Sequence, residues 1–279
     1  MGDKCKSTIS NDSINDSAIG FRYIDAKAGD LVVTERDNNR IQVFDFQGGE
    51  TSFDTHGKLG HGMQDYFHPA GVCTSNVYGA NVIVADSGNK RMKYMKYNQD
   101  QKGMGILDTT ATFGQQTFTE PMGIQHDPYR NVVIVTDIGS NRVTIHDMRT
   151  GNPIGEVKQP WNLKLQRPMD VAIDELSRMY VTDAVGKCVH IYDKNGEFIC
   201  HFGKDLFVHP WGVTFDRQYN VLVSDTEANK IYMFTTTGAL QKVAIDNIYR
   251  PKGIAVNINE KLVATTGDPY NFLKIFDFK

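Results

Sequence analysis

PMGIQHDPYRNVVIVTDIGSNRVTIHD, residues 121–147, decides the fold. It opens on Pro-x-Gly, passes through a short turn, and continues as VVIVTD, an apolar β-prone run ending in an acid. A tight polar loop follows, and a basic residue, Arg142, opens a second alternating segment, RVTIHD. The period is two, that of a strand, and no helical period competes with it. The unit recurs along the chain. PAGV at 69–72, PMDV at 168–171, PWGV at 210–213 and PKGI at 251–254 repeat its opening, so that successive prolines stand 52, 47, 42 and 41 residues apart. Spacings of that size belong to the blades of a β-propeller.

GFRYID at 20–25 with LVVTERDNNRIQVFD at 31–45 is the same unit without its proline, which brings the count to six. Each unit offers three strands and a weaker fourth, such as EFICHFG at 197–203. The expected fold is therefore all-β, a six-bladed β-propeller of four-stranded antiparallel blades. The last unit stops after its third strand at Lys279, while KCKSTIS at 4–10 is a strand-capable segment without a unit. The N-terminal strand is expected to pair with the last blade, closing the propeller and leaving no open seam.

Composition excludes several classes. With 40% hydrophobic and 23% charged residues the chain is ordinary for a globular domain. No apolar run is long enough to span a membrane. The first residues, MGDKCKSTISNDSINDS, lack the apolar core of a secretory signal, which points to a cytoplasmic protein. Asn11 and Asn15 begin chance sequons in that setting, and the opening Met-Gly suits one domain cut from a longer protein. Four cysteines without a CxxC pair suit reduced thiols and not zinc or disulfides. The net charge of −3 confines any nucleic-acid site to a local patch.

THGKLGHGMQDYFHPAGV at 55–72, with its spaced glycines and a Phe two residues before Pro-x-Gly-Val, resembles the linker between NHL repeats. ADSGNKRMKYM at 85–95 and TERDNNRIQVF at 34–44 resemble the second half of that repeat. The resemblance covers nearly the whole chain, residues 1–279 as one propeller with 1–16 as an N-terminal segment, and is weakest in the sixth unit. It is similar to the NHL domain of TRIM-NHL (Brat-type) proteins. That resemblance implies a non-enzymatic, monomeric propeller that binds single-stranded RNA on one face in post-transcriptional regulation, or else a protein partner on that face. No RING, B-box or coiled-coil segment is legible in these 279 residues.

A repeat carries its own control: what recurs in every unit serves the blade, and what departs is a site candidate. The strand-ending acids Glu35, Asp86, Asp137, Asp183 and Asp225 recur, as do the basic residues five positions later, Arg40, Arg91, Arg142 and Lys230, with Cys188 the exception. Both sets read as framework, the bases pairing with acids or carbonyls between blades. The glycines Gly71, Gly123, Gly212 and Gly253 read as points of close backbone approach near the axis. In an up-and-down blade the Pro-x-Gly openings and the loops after the acids share one surface, here called the proline face.

On that face the residues before the prolines are His68, Glu120, Arg167, His209 and Arg250, and those after are Ala70, Met122, Met169, Trp211 and Lys252. Loop tips add Arg36, Lys90 and Lys187; Tyr249, Tyr270 and Phe272 lie nearby, with Phe67 an expected buried anchor. The long linker KQPWNLKLQRP adds Lys158, Trp161 and Lys164. Cations interleaved with aromatics suit single-stranded RNA, in which phosphates are neutralised and bases stacked. Arg167, Arg250, Lys252, Lys90 and Lys187 are the expected phosphate contacts; Trp211, Tyr249, His209 and Tyr270 are the expected base contacts; Arg36 and His68 complete the set. Tyr, Trp and Arg also make protein hot spots, so a protein-binding platform is the alternative. A continuous positive field would favour RNA and a mixed or apolar one would favour protein.

Enzyme readings find little support. Amidating lyases of similar repeats hold zinc through histidines directly after the proline, where this chain has none; His68 and His209 stand one residue early. A calcium cage needs oxygens converging on the axis, where only Asp170 places an acid. No GxSxG, P-loop or HExxH motif occurs. No metal and no cofactor are expected.

Overall fold

In a computed structural model of the chain, the described residues are 5–9, 18–23, 31–44, 53–77, 80–99, 105–256, 261–266 and 273–277. They form 24 strands and one short 3-10 turn at Ser87–Asn89. Strand β1 spans Cys5–Ile9. The first blade is β2 (Ala18–Tyr23), β3 (Leu31–Glu35), β4 (Arg40–Phe44) and β5 (Phe53–His56); the second is β6 (Pro69–Val77), β7 (Ala80–Asp86), β8 (Arg91–Gln99) and β9 (Gly105–Phe113). The third is β10 (Pro121–Asp127), β11 (Val132–Asp137), β12 (Arg142–Asp147) and β13 (Pro153–Glu156). The fourth is β14 (Pro168–Ile173), β15 (Met179–Asp183), β16 (Cys188–Tyr192) and β17 (Phe198–Phe202); the fifth is β18 (Pro210–Phe215), β19 (Val221–Asp225), β20 (Lys230–Phe234) and β21 (Leu240–Ile245). The last three are β22 (Pro251–Val256), β23 (Lys261–Thr266) and β24 (Leu273–Asp277).

The expectation of six four-stranded blades is corrected here. Five blades are complete units of four consecutive antiparallel strands, β2–β5, β6–β9, β10–β13, β14–β17 and β18–β21. The sixth unit has only three strands of its own, and its sheet, ordered β1-β24-β23-β22, is a composite of the two chain ends. The seam pairs Cys5 with Phe276 and Ile9 with Leu273. The first strands adjoin in the cyclic order β2, β6, β10, β14, β18, β22 and back to β2.

Among the described residues burial is greatest in the second strands and falls off towards the fourth strands β13, β17 and β21. The second strands β3, β11, β15 and β19 are buried throughout, which is why they read as unbroken apolar runs: both faces lie against neighbouring blades. The fourth strand β13 is exposed throughout, so it carries little sequence signal. The core sits between blades. Val132, Ile134, Val143 and Ile145 of the third pack against Val171, Met179, Val181 and Tyr192 of the fourth. Fully burying one such side chain is worth roughly 1.5–3 kcal/mol.

A repeated hydroxyl ties blade to blade, a role the sequence reading missed. Thr34 Oγ1 donates to the Ala70 carbonyl (2.5 Å), Thr136 to Met169 (3.1 Å), Thr182 to Trp211 (2.5 Å) and Ser224 Oγ to Lys252 (2.6 Å). The signal was a Thr/Ser column just before the acids, broken only by Ala85 among these five units. Gly71, Gly123 and Gly212 do mark close approach. A Cβ on Gly71 would lie 2.3 Å from the Met122 carbonyl oxygen, and one on Gly123 2.5 Å from Asp170 Cα.

Candidate functional site

Each of these proline openings contains a β-bulge. Pro69, Pro121, Pro168 and Pro210 pair with Asp86, Asp137, Asp183 and Asp225, and register shifts over the next residues before regular pairing resumes. A bulge re-aims a side chain. The residue after each proline leaves the ladder, and Ala70, Met122 and Met169 gather with Ala184, Ile138 and Trp211 in one apolar cluster. Trp211 is half-buried there, and the Lys252 ammonium sits 5.4 Å from its ring centroid. Lys252 itself is only 8% exposed. Among the described residues Ala70, Met122, Met169 and Trp211 form a plug on the proline face, and Lys252 is placed against it, away from the open surface expected of a phosphate contact.

The strand-ending acids hold the linkers. Asp137 accepts the Thr119 and Glu120 N–H groups, Asp183 those of Gln166 and Arg167, and Asp225 those of Val208 and His209, all at 2.8–2.9 Å. Burial opposes ionisation of Asp183, but the nearby His190 ring and the N–H groups of Gly186, Gln166 and Arg167 outweigh it and hold the carboxyl below its ordinary range. The basic residues pair within their own blade, Arg40 with Glu35 (2.9 Å), Arg91 with Asp86 (2.8 Å) and Arg142 with Asp137 (4.0 Å). Arg91 also donates to the His61 and Gly62 carbonyls of the preceding linker. Lys230 departs from the pattern and faces Asp246 at 3.7 Å. In the fourth blade Cys188 leaves the position to His190, whose Nε2 lies 3.6 Å from Asp183 and 3.3 Å from the Cys188 sulfur.

The turns after the acids end in a left-handed residue in five blades: Asn39, Lys90, Asn141, Lys187 and Asn229, with φ of 53–57°. Asn is the ordinary occupant of that conformation. The Asn39 and Asn229 side chains accept the N–H of His68 and of Arg250 in the next linker, each at 2.8 Å. Lys90 and Lys187 depart from this scheme and are exposed.

The expected RNA-contacting residues do not share one field. Arg36 is bound to Glu120 (3.1 Å) and Arg250 to Glu227 (3.0 Å), two glutamates the sequence reading had not weighed as partners. His68 is half-buried with its ring 4.5 Å from Phe67, which is itself half-buried. His209 is half-buried 5.8 Å from Trp211, and burial, then Arg167, pushes its imidazole down. Lys90, Arg167 and Lys187 remain exposed, with no carboxylate at ion-pair distance among the described residues. Tyr249 is exposed; Tyr270 and Phe272 lie outside the described residues. The structure adds Val185, 51% exposed, and Val208, and leaves Trp161 87% exposed. Val185 was discoverable: its turn position holds Asp37, Gly88, Gly139 and Glu227 in other blades.

Asp170 bridges blades, its carboxylate accepting the Val171 N–H (2.9 Å) and the Val213 N–H of the fifth blade (3.1 Å). Among the described residues no three His, Cys, Asp or Glu side chains converge in a way that could hold a metal ion. Nor is any helix of the described residues long and apolar enough to cross a membrane.

The repeat motifs on an all-β propeller define the class, an NHL-repeat β-propeller resembling those of TRIM-NHL proteins. The human E3 ubiquitin-protein ligase NHLRC1 is 29% identical over 161 residues, covering 55% of this chain and 40% of the ligase. The rat protein of that name is 30% identical over 161 residues, and the Drosophila melanogaster protein brain tumor is 28% identical over 169, covering 59% of this chain and 15% of that protein. The chain thus spans less than half the length of these curated relatives. No family model matches it. Among solved structures, the virginiamycin B lyase of Staphylococcus aureus has a TM-score of 0.62 at 16% identity over 92% of this chain and 80% of that one, and a luciferin-regenerating enzyme 0.68 at 11% over 98% and 97%. At such identities the likeness is one of fold.

Proposed function

We propose that the proline face is a non-catalytic docking platform for a protein partner. One observation carries this reading: the surface is mixed and not uniformly positive. Two of the arginines suited to phosphate are held by Glu120 and Glu227, and Lys252 lies against the plug. What stands most exposed beside the remaining cations is apolar, in Trp161, Val185, Val208 and Tyr249. Aromatic and aliphatic groups rimmed by charge suit a protein interface. The relatives support a regulatory propeller, one of them carrying the name of a ubiquitin ligase, in which such a face would recruit a partner. This ranks protein above the RNA expected from sequence. RNA is kept as the second reading because Lys90, Arg167 and Lys187 stay uncompensated.

A photoreactive benzoylphenylalanine at position 185 tests the choice, with position 154 on the exposed strand β13 as control. The expected adduct is sensitive to protease and not to nuclease, and forms at 185 only. A nuclease-sensitive adduct would overturn the reading.

A further inference from the structure

The proline face is not electrically uniform, and its asymmetry follows the blades. Where the first blade meets the third-blade linker, Arg36 is neutralised by Glu120; at the linker into the composite last sheet Arg250 is neutralised by Glu227. Between these lies the strip leading into and over the fourth blade. Its linker carries Trp161 and Lys164, both exposed, and ends in exposed Arg167. The Arg167 carbonyl accepts the Ala184 N–H (3.0 Å), which sets Arg167 beside the turn bearing Val185 and Lys187. On the axial side Arg167 is near enough to His209 to disfavour its charged form. Arg167, Val185 and Lys187 thus lie together, and Trp161 and Lys164 are exposed on the linker that leads into Arg167, with no acid at ion-pair distance from the cations among the described residues.

Two details mark this strip as a departure from the repeat. Lys187 holds a left-handed backbone at φ 55° where three other blades use Asn, a departure it shares with Lys90 of the second blade, and a strained backbone of this kind collects at functional sites. Val185 is apolar at a turn position that is otherwise polar or glycine. Neither is demanded by the blade.

We infer that this strip of the fourth blade binds an acidic peptide segment with a bulky apolar anchor, the anchor lying on Trp161 and Val185 and its carboxylates facing Lys164, Arg167 and Lys187. The inference rests on the protein-docking reading and gives the partner its chemistry. Charge complementarity supplies the sign, since the strip is cationic while its flanks are neutralised. A stacked single strand fits less well. It needs successive open aromatic platforms, and Trp211 at the inner end is packed in the plug beneath Lys252.

A random-peptide phage library selected on the whole chain tests this, followed by fluorescein-labelled versions of the winner, its Asp/Glu→Gln/Asn counterpart, and an oligouridine. The expected winners place acids around a large apolar residue. The double substitution Arg167→Glu/Lys187→Glu should weaken binding about tenfold or more, whereas Arg149→Glu on the opposite face should not, with melting curves confirming that both variants fold. Winners without acidic bias, no winners, or binding untouched by the charge reversal would overturn the inference. A protein adduct at position 185 combined with acid-poor winners defeats the partner chemistry and leaves the docking reading standing. Oligouridine bound more tightly than any peptide, and lost on charge reversal, defeats both.

Discussion

Replacing Trp211 with Ala removes the largest member of the axial plug. A fully buried Trp costs roughly 3–5 kcal/mol on truncation, and Trp211 is only half-buried, so packing should account for about 2 kcal/mol. The Lys252 ammonium 5.4 Å above the ring adds about 0.5–1 kcal/mol. For a chain of this size the sum lowers the melting midpoint by about 5–10 °C. Trp211→Met should cost under about 1.5 kcal/mol, the usual cost of a tolerated hydrophobic swap, because the third and fourth blades already place Met122 and Met169 in this position. A cycle of Trp211→Met with Lys252→Met isolates the ring–ammonium coupling, expected at about 0.5–1 kcal/mol. The chain has two tryptophans, so a Trp161→Phe background lets urea unfolding followed by indole fluorescence report Trp211 alone where it is present, with circular dichroism following the variants that lack it. A Trp211→Ala midpoint within about 1 °C of wild type would refute the plug and restore the indole as an open ligand platform.

Three other outcomes follow from the framework. Thr182→Val should cost about 2 kcal/mol in urea unfolding, because it strips a hydroxyl that accepts the Asp170 N–H and donates to the Trp211 carbonyl; a loss under about 0.5 kcal/mol would deny the inter-blade tie a role. Burial holds the imidazoles of His126, His146 and His209 below their ordinary value. The unfolded chain then binds more protons below about pH 6.5, so stability is full above that pH and is lost as pH falls. Unfolding midpoints at about pH 7.5 and about pH 5.5 should therefore differ, and His146→Gln should reduce the difference. Lys187→Asn should stabilise by up to about 1 kcal/mol by relieving the left-handed Lys, measured by thermal melting, while weakening partner binding.

The blades were legible because a propeller repeats its apolar second strand and its Pro-x-Gly opening, and both survive as local pattern. The acids and glycines were legible as framework for the same reason. The last sheet was harder to count, since it is assembled from segments more than 260 residues apart, Cys5 pairing with Phe276. Trp211 was half-read. Its departure from the repeat was visible, but the bulge that turns its position into the plug is a property of backbone register, and Met122 and Met169 fill the same slot. Lys252 was misplaced for that reason. The pairing of Arg36 with Glu120 joins residues 84 positions apart with no periodic signal, so the charge expected on the face was greater than the charge that remains open.

The central claim is that the open cations of the proline face serve a protein and not an RNA. Selection of a randomised single-stranded RNA pool on the chain, run beside the Arg167→Glu/Lys187→Glu variant at physiological salt, tests it most directly. The account predicts no sequence enriched over control beads and no difference between the two proteins; an enriched RNA that binds the wild-type chain and is lost on charge reversal would contradict it.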